Sequence, residues 1–189
     1  MECLRGQEGE LIVKELSLCN GDCQQQYIFR PPYILRNPDS KFKNKWLRKN
    51  INGFSWYDGY LDYSQLERFV RQFGRRYKRL FTKGDEKAML LTNLCGMPVE
   101  DLGKYGAPKQ KTIKLPTKRC QFHLNKPQLQ CAVDKSIKFY GWICQQEQQE
   151  QEQQQNQQQE QRRVPPSPPV GRTPKQNQRA VPRGNWLCR

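Results

Sequence analysis

The chain begins with two short apolar runs that have the composition of β-strands. Residues 10–19 (ELIVKELSLC) and 26–30 (QYIFR) are rich in aliphatic and aromatic side chains, and the turn residues NGD lie between them. Two such runs separated by turn residues predict a β-hairpin. The prolines of PPY end the second strand, because proline cannot donate a hydrogen bond to a neighbouring strand.

The spacing of apolar residues then changes from strand-like to helical. Residues 39–50 (DSKFKNKWLRKN) and 64–77 (SQLERFVRQFGRRY) place apolar side chains three and four positions apart, which predicts two amphipathic helices. In the first helix these positions are Phe42, Trp46 and Leu47, and the basic side chains lie on the other face. We therefore expect Trp46 in the core.

The rest of the pattern alternates between strand and helix. It predicts a buried strand at 78–84, a helix at 85–96 that ends at a glycine, a short strand at 99–102 and a last helix at 131–144. Initial strands followed by such an alternation call for a mixed sheet covered by helices. The expected fold class is therefore α/β.

The composition changes sharply after Cys144. Residues 145–161 are almost pure Gln and Glu, and the remaining residues are rich in proline. Neither composition can build a core. We expect a folded domain over residues 1–144 and a disordered tail over residues 145–189. The Gln/Glu run can continue the preceding helix for a few turns, because both residues are good helix formers.

The proline-rich part of the tail offers a candidate protein-binding motif. Arg162, Pro165 and Pro168 match the spacing of a polyproline ligand for SH3-like grooves. A protein partner that binds through this tail is therefore an alternative to a nucleic-acid partner.

The charge of the chain favours a polyanionic partner. Its 33 Lys and Arg residues outnumber 18 Asp and Glu residues, for a formal net charge of +15, and such an excess attracts nucleic acids. Tryptophans and tyrosines lie close to the basic clusters, a combination that suits RNA or single-stranded DNA better than a double helix. An ordinary solvated basic surface is the alternative. The candidate nucleic-acid-binding residues are Lys43, Lys45, Arg48, Lys49, Arg75, Arg76, Lys78 and Arg79.

The compartment follows from what the chain lacks. It has no apolar run of about 18 residues or more, and its first ten residues, MECLRGQEGE, lack the basic start and apolar stretch of a secretory signal. We expect an intracellular protein, cytoplasmic or nuclear, with no membrane partner. In a reducing compartment its eight cysteines are expected to be buried thiols or metal ligands rather than disulfides.

The most distinctive chemistry surrounds the single histidine. His123 lies three residues after Cys120 and eight before Cys131. Two thiolates and an imidazole are ligands that zinc favours, and a closed structural site needs a fourth. The alternative is a pair of buried cysteines beside a polar loop histidine.

A family resemblance supplies a candidate for the fourth ligand. Glu15 together with Cys120, His123 and Cys131 resembles the Glu-Cys-His-Cys set of the Maelstrom domain, a ribonuclease H-like relative of the DEDDh exonucleases in which a zinc site replaces the catalytic residues. The resemblance implies a ribonuclease H-like mixed sheet flanked by helices, with Glu15 as the fourth zinc ligand. The rival source of a ligand is the pair Cys19 and Cys23, and Glu15 can instead point to water from an edge strand.

A second resemblance covers roughly residues 10–144. It is to an uncharacterised arthropod family associated with mobile elements, and the stretches that carry it are NGFSWYDGYLDYSQL, KGDEKAMLL, VEDLGKYGAP and CAVDKSIKFYGWI. It implies that the protein is encoded by, or derived from, a mobile element.

The DEDDh comparison also indicates that the nuclease chemistry is lost. Such exonucleases hold two metal ions with four carboxylates and use a histidine as general base. Apart from Glu15, the corresponding positions fall at Val13, Lys87, Leu129 and Lys135, none of which is a carboxylate or a histidine.

The sequence therefore predicts a catalytically degenerate exonuclease-like domain with a structural zinc. Its expected role is to bind nucleic acid, with single-stranded RNA favoured, or to act as an adaptor. An active metal-dependent nuclease is the alternative, because Asp85, Glu86 and Asp134 can build a different acidic site. The third possibility is a protein-interaction module that uses the proline-rich tail.

Overall fold

A computed structural model describes residues 1–163 of the chain. The chain divides into two units, Met1–Trp142 and Ile143–Arg189, and the first contains the sheets and the candidate site. In chain order the strands and α-helices of the described residues are β1 (Glu2–Arg5), β2 (Leu11–Cys19), β3 (Gln24–Ile28), α1 (Pro38–Leu47), α2 (Gln65–Gly74), β4 (Leu80–Thr82), α3 (Asp85–Cys95), β5 (Val99–Asp101) and α4 (Ala132–Arg163).

Strand β2 is the centre of a three-stranded antiparallel sheet in the order β1-β2-β3. The predicted hairpin is confirmed, with Glu15 opposite Ile28 and Cys19 opposite Gln24. On the other edge β1 pairs with the first half of β2, so that Cys3 is opposite Val13. The sequence did not predict β1, because a strand of four residues is too short for an alternating pattern to be recognised.

Strands β4 and β5 form a separate parallel pair, in which Leu80 is opposite Val99. Helix α3 connects them and ends at Gly96, whose φ of 74° is one that glycine adopts without strain. The α/β class is thus confirmed. The described strands form two small sheets rather than the single mixed sheet that was expected, because the unpredicted β1 pairs along one edge of β2 and β4 pairs with β5 alone.

The main core lies between the antiparallel sheet and helices α2 and α3. Val13 and Phe29 pack there with Leu66 and Val70 of α2 and with Leu91 of α3. The apolar stripe predicted for residues 64–77 is therefore the face that α2 buries. A second apolar cluster encloses a tryptophan; its buried members are Leu4, Ile12, Leu35 and Trp56.

Helix α1 buries a different face from the one its apolar residues predict. Ser40 and Asn44 are buried, whereas the side chains of Phe42 and Trp46 are 76% and 55% exposed. Asn44 accounts for this orientation, since its side-chain amide accepts from the Arg5 N–H at 2.7 Å and donates to the Arg5 carbonyl at 2.8 Å. These bonds satisfy the backbone of β1. The prediction that Trp46 lies in the core is wrong.

Helix α4 continues through the Gln/Glu-rich segment to Arg163. The expected disorder does not hold for residues 145–163, which are helical as the high helix propensity of Gln and Glu predicted. For residues 164–189 that expectation lies outside the described residues. Of the candidate polyproline motif, Arg162 ends up in α4, while Pro165 and Pro168 lie outside the described residues. Among the helices that the structure describes, none is long and apolar enough to cross a membrane.

Candidate metal centre

Four residues from separate parts of the first unit meet in one buried cluster. Glu15 comes from β2, Cys120 and His123 from the loop after β5, and Cys131 from the position before α4. One donor atom from each lies within 4.8 Å of the other three, and all four side chains are buried. Within residues 1–163 this is the only group of three or more potential ligands that meets so closely. We call these residues the four-residue cluster.

The backbone around Cys120 aligns two of the donors. The turn Gln121–His123 is a 3₁₀ helix with Cys120 as its N-cap. The His123 N–H donates to the Cys120 carbonyl at 3.0 Å, and this turn brings Cys120 Sγ to 3.0 Å from His123 Nδ1. Arg119 closes the surrounding loop, since its guanidinium donates to the carbonyl of His123 at 3.1 Å and to that of Lys126 at 2.9 Å. It also donates to the carbonyl of Leu129.

The Glu15 carboxylate joins three elements at the cluster. Its Oε2 accepts a hydrogen bond from the backbone N–H of Ala132, at the start of α4, at 2.8 Å. Its Oε1 accepts from the Gln26 side chain of β3 at 2.8 Å and faces the other donors. A carboxylate at a helix N-terminus is electrostatically favourable, so β2, β3 and α4 are joined whether or not an ion is bound.

The orientation of His123 is fixed by a backbone carbonyl. Its Nε2 lies 2.8 Å from the Asn52 carbonyl oxygen, and because that oxygen only accepts, Nε2 carries the proton. In the neutral ring this leaves the lone pair of Nδ1, which lies 3.0 Å from Cys120 Sγ and 3.7 Å from Glu15 Oε1. Metal-bound histidines use the same arrangement, with the distal N–H held by a carbonyl or carboxylate.

Aromatic rings enclose the imidazole. Phe54 and Phe122 are stacked with ring centroids 4.3 Å apart, and each also contacts His123 edge-on, at 5.2 Å and 4.9 Å. This apolar wall excludes water from one side of the cluster. Charge in the cluster must therefore be compensated within it.

The proton affinities of the four groups are strongly shifted by their mutual contact. Burial lowers the pKa of His123, but hydrogen bonds with Cys131 and Glu15 outweigh burial and raise it to about 9. The hydrogen bond with Cys120 lowers the pKa of Cys131 to about 5, and the same contact together with burial raises the pKa of Cys120. Burial also raises the pKa of Glu15, yet its bonds to His123 and Ala132 bring the net pKa below the usual value.

The donor set fits a zinc ion. Zinc prefers two to four thiolate or imidazole ligands supplemented by carboxylate, at bond lengths of about 2.0–2.3 Å that separate tetrahedral donors by roughly 3.3–3.8 Å. Three of the donor-to-donor distances, 3.0, 3.7 and 3.9 Å, bracket that range, and all four donor atoms lie within 4.8 Å of one another. In addition, the Cys120 N–H points at Cys131 Sγ from 3.4 Å, a contact that stabilises a thiolate. Four protein donors leave no position for a substrate, as in structural sites.

The alternatives raised by the sequence can now be compared with the structure. Cys19 is half-buried and Cys23 is exposed, and neither belongs to the four-residue cluster. Glu15 is fully buried, so the alternative in which it points to water is wrong.

The acidic residues considered for a nuclease site do not form such a group among the described residues. Glu86 is engaged by Arg5 in a two-point ion pair at 2.6 and 3.1 Å. Asp134 is buried and accepts from Gln110 and from Lys138, the latter at 3.2 Å. Asp85 is an exposed residue in the first turn of α3.

Seven of the eight candidate nucleic-acid-binding residues are exposed. The candidates between residues 43 and 49 lie on α1 and on the π-helical turn Arg48–Asn52 that follows it. The candidates between residues 75 and 78 follow α2. Arg79 is the exception, because it forms a two-point ion pair with Glu100 at 2.8 Å and also donates to Tyr105. Because its guanidinium is already paired, Arg79 is less available to a phosphate than the others, and its nucleic-acid-binding role stays a prediction. The exposed members are Lys43, Lys45, Arg48, Lys49, Arg75, Arg76 and Lys78.

Some contributors to the site carry no signal in the sequence. The Asn52 carbonyl that orients His123 is a backbone group, which no residue pattern reveals. Gln26 is one of several consecutive glutamines, so its contact with Glu15 requires the strand register. Arg119 precedes Cys120 directly, and its position beside the metal-ligand spacing is the one signal that could have identified it.

The comparisons with known proteins identify no relative. No family model matches the chain, and neither curated proteins nor solved structures give a match. The resemblances to the Maelstrom domain and to a family associated with mobile elements stay predictions.

Proposed function

We propose that the protein is a catalytically inactive, ribonuclease H-like module that is stabilised by one structural zinc ion and binds single-stranded nucleic acid. The observation that carries the proposal is the position of Glu15. It is the one DEDDh carboxylate that the sequence retains, and it lies against two thiols and an imidazole instead of pairing with other carboxylates. A donor set of that kind suits zinc and not Mg²⁺, which prefers oxygen ligands.

The zinc ion would be held by Glu15, Cys120, His123 and Cys131 and would supply positive charge for buried anions. The orientation of the ligands comes from the chain itself. Glu15 joins β2 to the start of α4 through the Ala132 N–H, and the Asn52 carbonyl holds His123 in one orientation. With an ion bound, these four residues would connect the last helix and its preceding loop to the central strand.

The positions of the missing nuclease residues support catalytic inactivity. Lys87 Nζ donates to the Met1 carbonyl at 2.9 Å, and Lys135 Nζ forms an ion pair with Glu2 at 2.6 Å. Val13 pairs with the same strand, β1. Three positions that the DEDDh comparison assigns to carboxylates therefore lie close to β1, and none of them offers the oxygen ligand that a divalent cation such as Mg²⁺ prefers.

Nuclease activity is accordingly expected to be absent. Purified protein incubated with Mg²⁺ or Mn²⁺ should leave end-labelled single-stranded RNA and DNA intact, as judged on denaturing gels. Asp85→Ala and Asp134→Ala are the control variants, because these carboxylates belong to the alternative acidic site. Metal-dependent cleavage by the wild type that either substitution abolishes contradicts the proposal.

The exposed cations of α1 and its π-helical extension support nucleic-acid binding. Residues 39–50 contain five basic residues and one acidic residue, and the four candidates among them are exposed. Long cationic side chains on an exposed helix contact phosphates without reading bases. The expected binding is therefore electrostatic and independent of sequence.

Affinity for single-stranded RNA is expected to fall steeply as salt concentration rises. Each phosphate contact contributes roughly −0.7 to the slope of log K against log salt, so replacing four cations is expected to change the slope by up to about 2.8. The test is fluorescence anisotropy over a salt series with a variant in which Lys43, Lys45, Arg48 and Lys49 are all changed to Ala.

The control for that experiment keeps the charge: Lys43, Lys45 and Lys49 are changed to Arg, and the salt slope should be retained. Circular dichroism should show that both variants are folded, since all four positions are exposed. Binding that is insensitive to salt, or equal in the Ala variant and the wild type, refutes an electrostatic interface on α1.

A further inference from the structure

Helix α1 presents two large aromatic rings to solvent. Phe42 and Trp46 are four residues apart, so they lie on one face of the helix, one turn from each other. Neither ring packs against another ring of the described residues, and both belong to the large apolar side chains that are exposed there. They line an open groove of about 240 Å³ whose walls are Arg5, Phe42, Lys43, Trp46 and Leu47. We call it the ring groove.

Packing of the fold does not account for the exposed rings. The inward face of α1 consists of polar Ser40 and Asn44 together with the half-buried Leu47, although Phe42 and Trp46 offer far more apolar area. Leaving both rings in water forgoes the stabilisation that burial of such side chains gives. Adjacent exposed aromatic rings of this kind are typical of a binding surface.

The charges around the ring groove are mainly positive. Lys43 is one of its walls, and Lys45 follows Phe42 by three residues, a spacing that puts it on the same side of the helix. Arg5 contributes its aliphatic part, because its guanidinium is neutralised by Glu86 at 2.6 Å. Within residues 1–163 neither Lys43 nor Lys45 forms an ion pair, and both are exposed. Such ammonium groups beside exposed rings are complementary to phosphates beside bases.

We propose that the ring groove stacks the unpaired bases of a single-stranded nucleic acid. This inference rests on the proposed function and deepens it, because the proposed function involves only phosphate contacts and this inference adds contacts between aromatic side chains and the bases. Phe42 and Trp46 stack on the faces of neighbouring bases, and Lys43 and Lys45 bind the phosphates between those bases. Every base has a π-face, so the contact tolerates any sequence. A duplex is excluded because its bases are already stacked on one another.

The test compares two probes of equal charge. One is a fluorescently labelled oligouridine RNA of roughly 12 nucleotides, within the range that single-strand sites cover, and the other is an abasic oligonucleotide with the same number of phosphates. The full chain should bind the RNA more tightly. The variants Phe42→Ala and Trp46→Leu should weaken RNA binding by roughly 5- to 150-fold, the range for loss of one stacked base, and should leave binding of the abasic probe unchanged.

Trp46→Phe separates stacking from a general apolar contact. It keeps an aromatic face and should retain most of the affinity for RNA, whereas Trp46→Leu keeps the apolar character and should not. Tyr57→Ala removes an exposed ring that does not line the groove and should have no effect.

The outcomes distinguish the inference from the proposed function. Base stacking is overturned if the two probes bind equally, or if Trp46→Leu binds RNA as tightly as the wild type does. The electrostatic proposal is retained in that case if binding of both probes weakens with salt. If neither probe binds the folded protein, both fail, and the ring groove belongs to a protein interface instead.

Discussion

If the four-residue cluster holds the proposed zinc ion, chelation is expected to unfold the first unit or to lower its thermal midpoint by tens of degrees. Structural zinc contributes about 10 kcal/mol or more of folding free energy in small domains, whereas whole domains are stable by only roughly 5–15 kcal/mol. Without the ion, the carboxylate of Glu15 and the thiolate of Cys131 would lie buried with only the imidazolium of His123 to offset their charge. Zinc analysis of the purified protein should give one equivalent per chain, and circular dichroism before and after chelation measures the loss.

Substitution of a ligand should have the same effect as chelation. His123→Ala or Cys131→Ser is expected to abolish stoichiometric zinc and to lower the thermal midpoint. Glu15→Gln is the sharper change, because glutamine keeps the shape and can still accept from the Ala132 N–H but lacks the anionic oxygen. Cys23→Ser is the matched control, since that thiol is exposed and outside the cluster.

Two results contradict the metal assignment in different ways. If zinc content survives Glu15→Gln and is lost in Cys19→Ser or Cys23→Ser, the fourth ligand lies in the hairpin. If none of the cluster variants changes the metal content, Glu15 is the carboxylate cap of α4 and the cysteines and histidine are its buried neighbours.

The sequence predicts the site well where its residues are close together in the chain. Cys120, His123 and Cys131 lie within twelve positions, and local turns bring them together. Glu15 is more than a hundred residues away, and only a family resemblance connected it to them. The Asn52 carbonyl could not be predicted, because its contact with His123 depends on how two loops pack.

The fold was predictable where one interaction dominates. The hairpin follows from turn residues between apolar runs, and α3 follows from the acidic residues of its first turn and the glycine, Gly96, at its end. The prediction of which face α1 buries fails because Asn44 competes with the rings of Phe42 and Trp46 for the inward face. The two hydrogen bonds of Asn44 to Arg5 satisfy backbone groups that would otherwise be unpaired, and that requirement prevails over burial of Trp46. Such competition is decided by β1, which the sequence did not reveal.

The second large effect is expected at Lys14, which is fully buried in the middle of β2. Its ammonium donates to three backbone carbonyl oxygens, of Phe29 at 2.7 Å, Trp56 at 2.8 Å and Asp58 at 2.5 Å. An ammonium has three N–H donors, so all are used. Burial lowers the pKa of Lys14 to about 8, which still leaves most of the amine charged at pH 7. The side chain thus fastens the loop around Trp56 to the sheet.

Lys14→Met is therefore expected to lower the free energy of unfolding by about 3 kcal/mol or more, since buried carbonyls lose their donor, and to lower the thermal midpoint by roughly 10 °C. Lys41→Met, an exposed change of the same chemistry, should stay within about 0.5 kcal/mol of the wild type. Neighbouring residues of a strand point to opposite faces, so Lys14 lies on the other side of β2 from Glu15, and the variant should retain one equivalent of zinc at low temperature. Chemical denaturation and metal analysis of the same sample measure both. If the variant is as stable as the wild type, the three carbonyls find other donors. If the variant loses zinc, the loop around Trp56 that Lys14 holds also fixes the Asn52 carbonyl, and through it the orientation of His123.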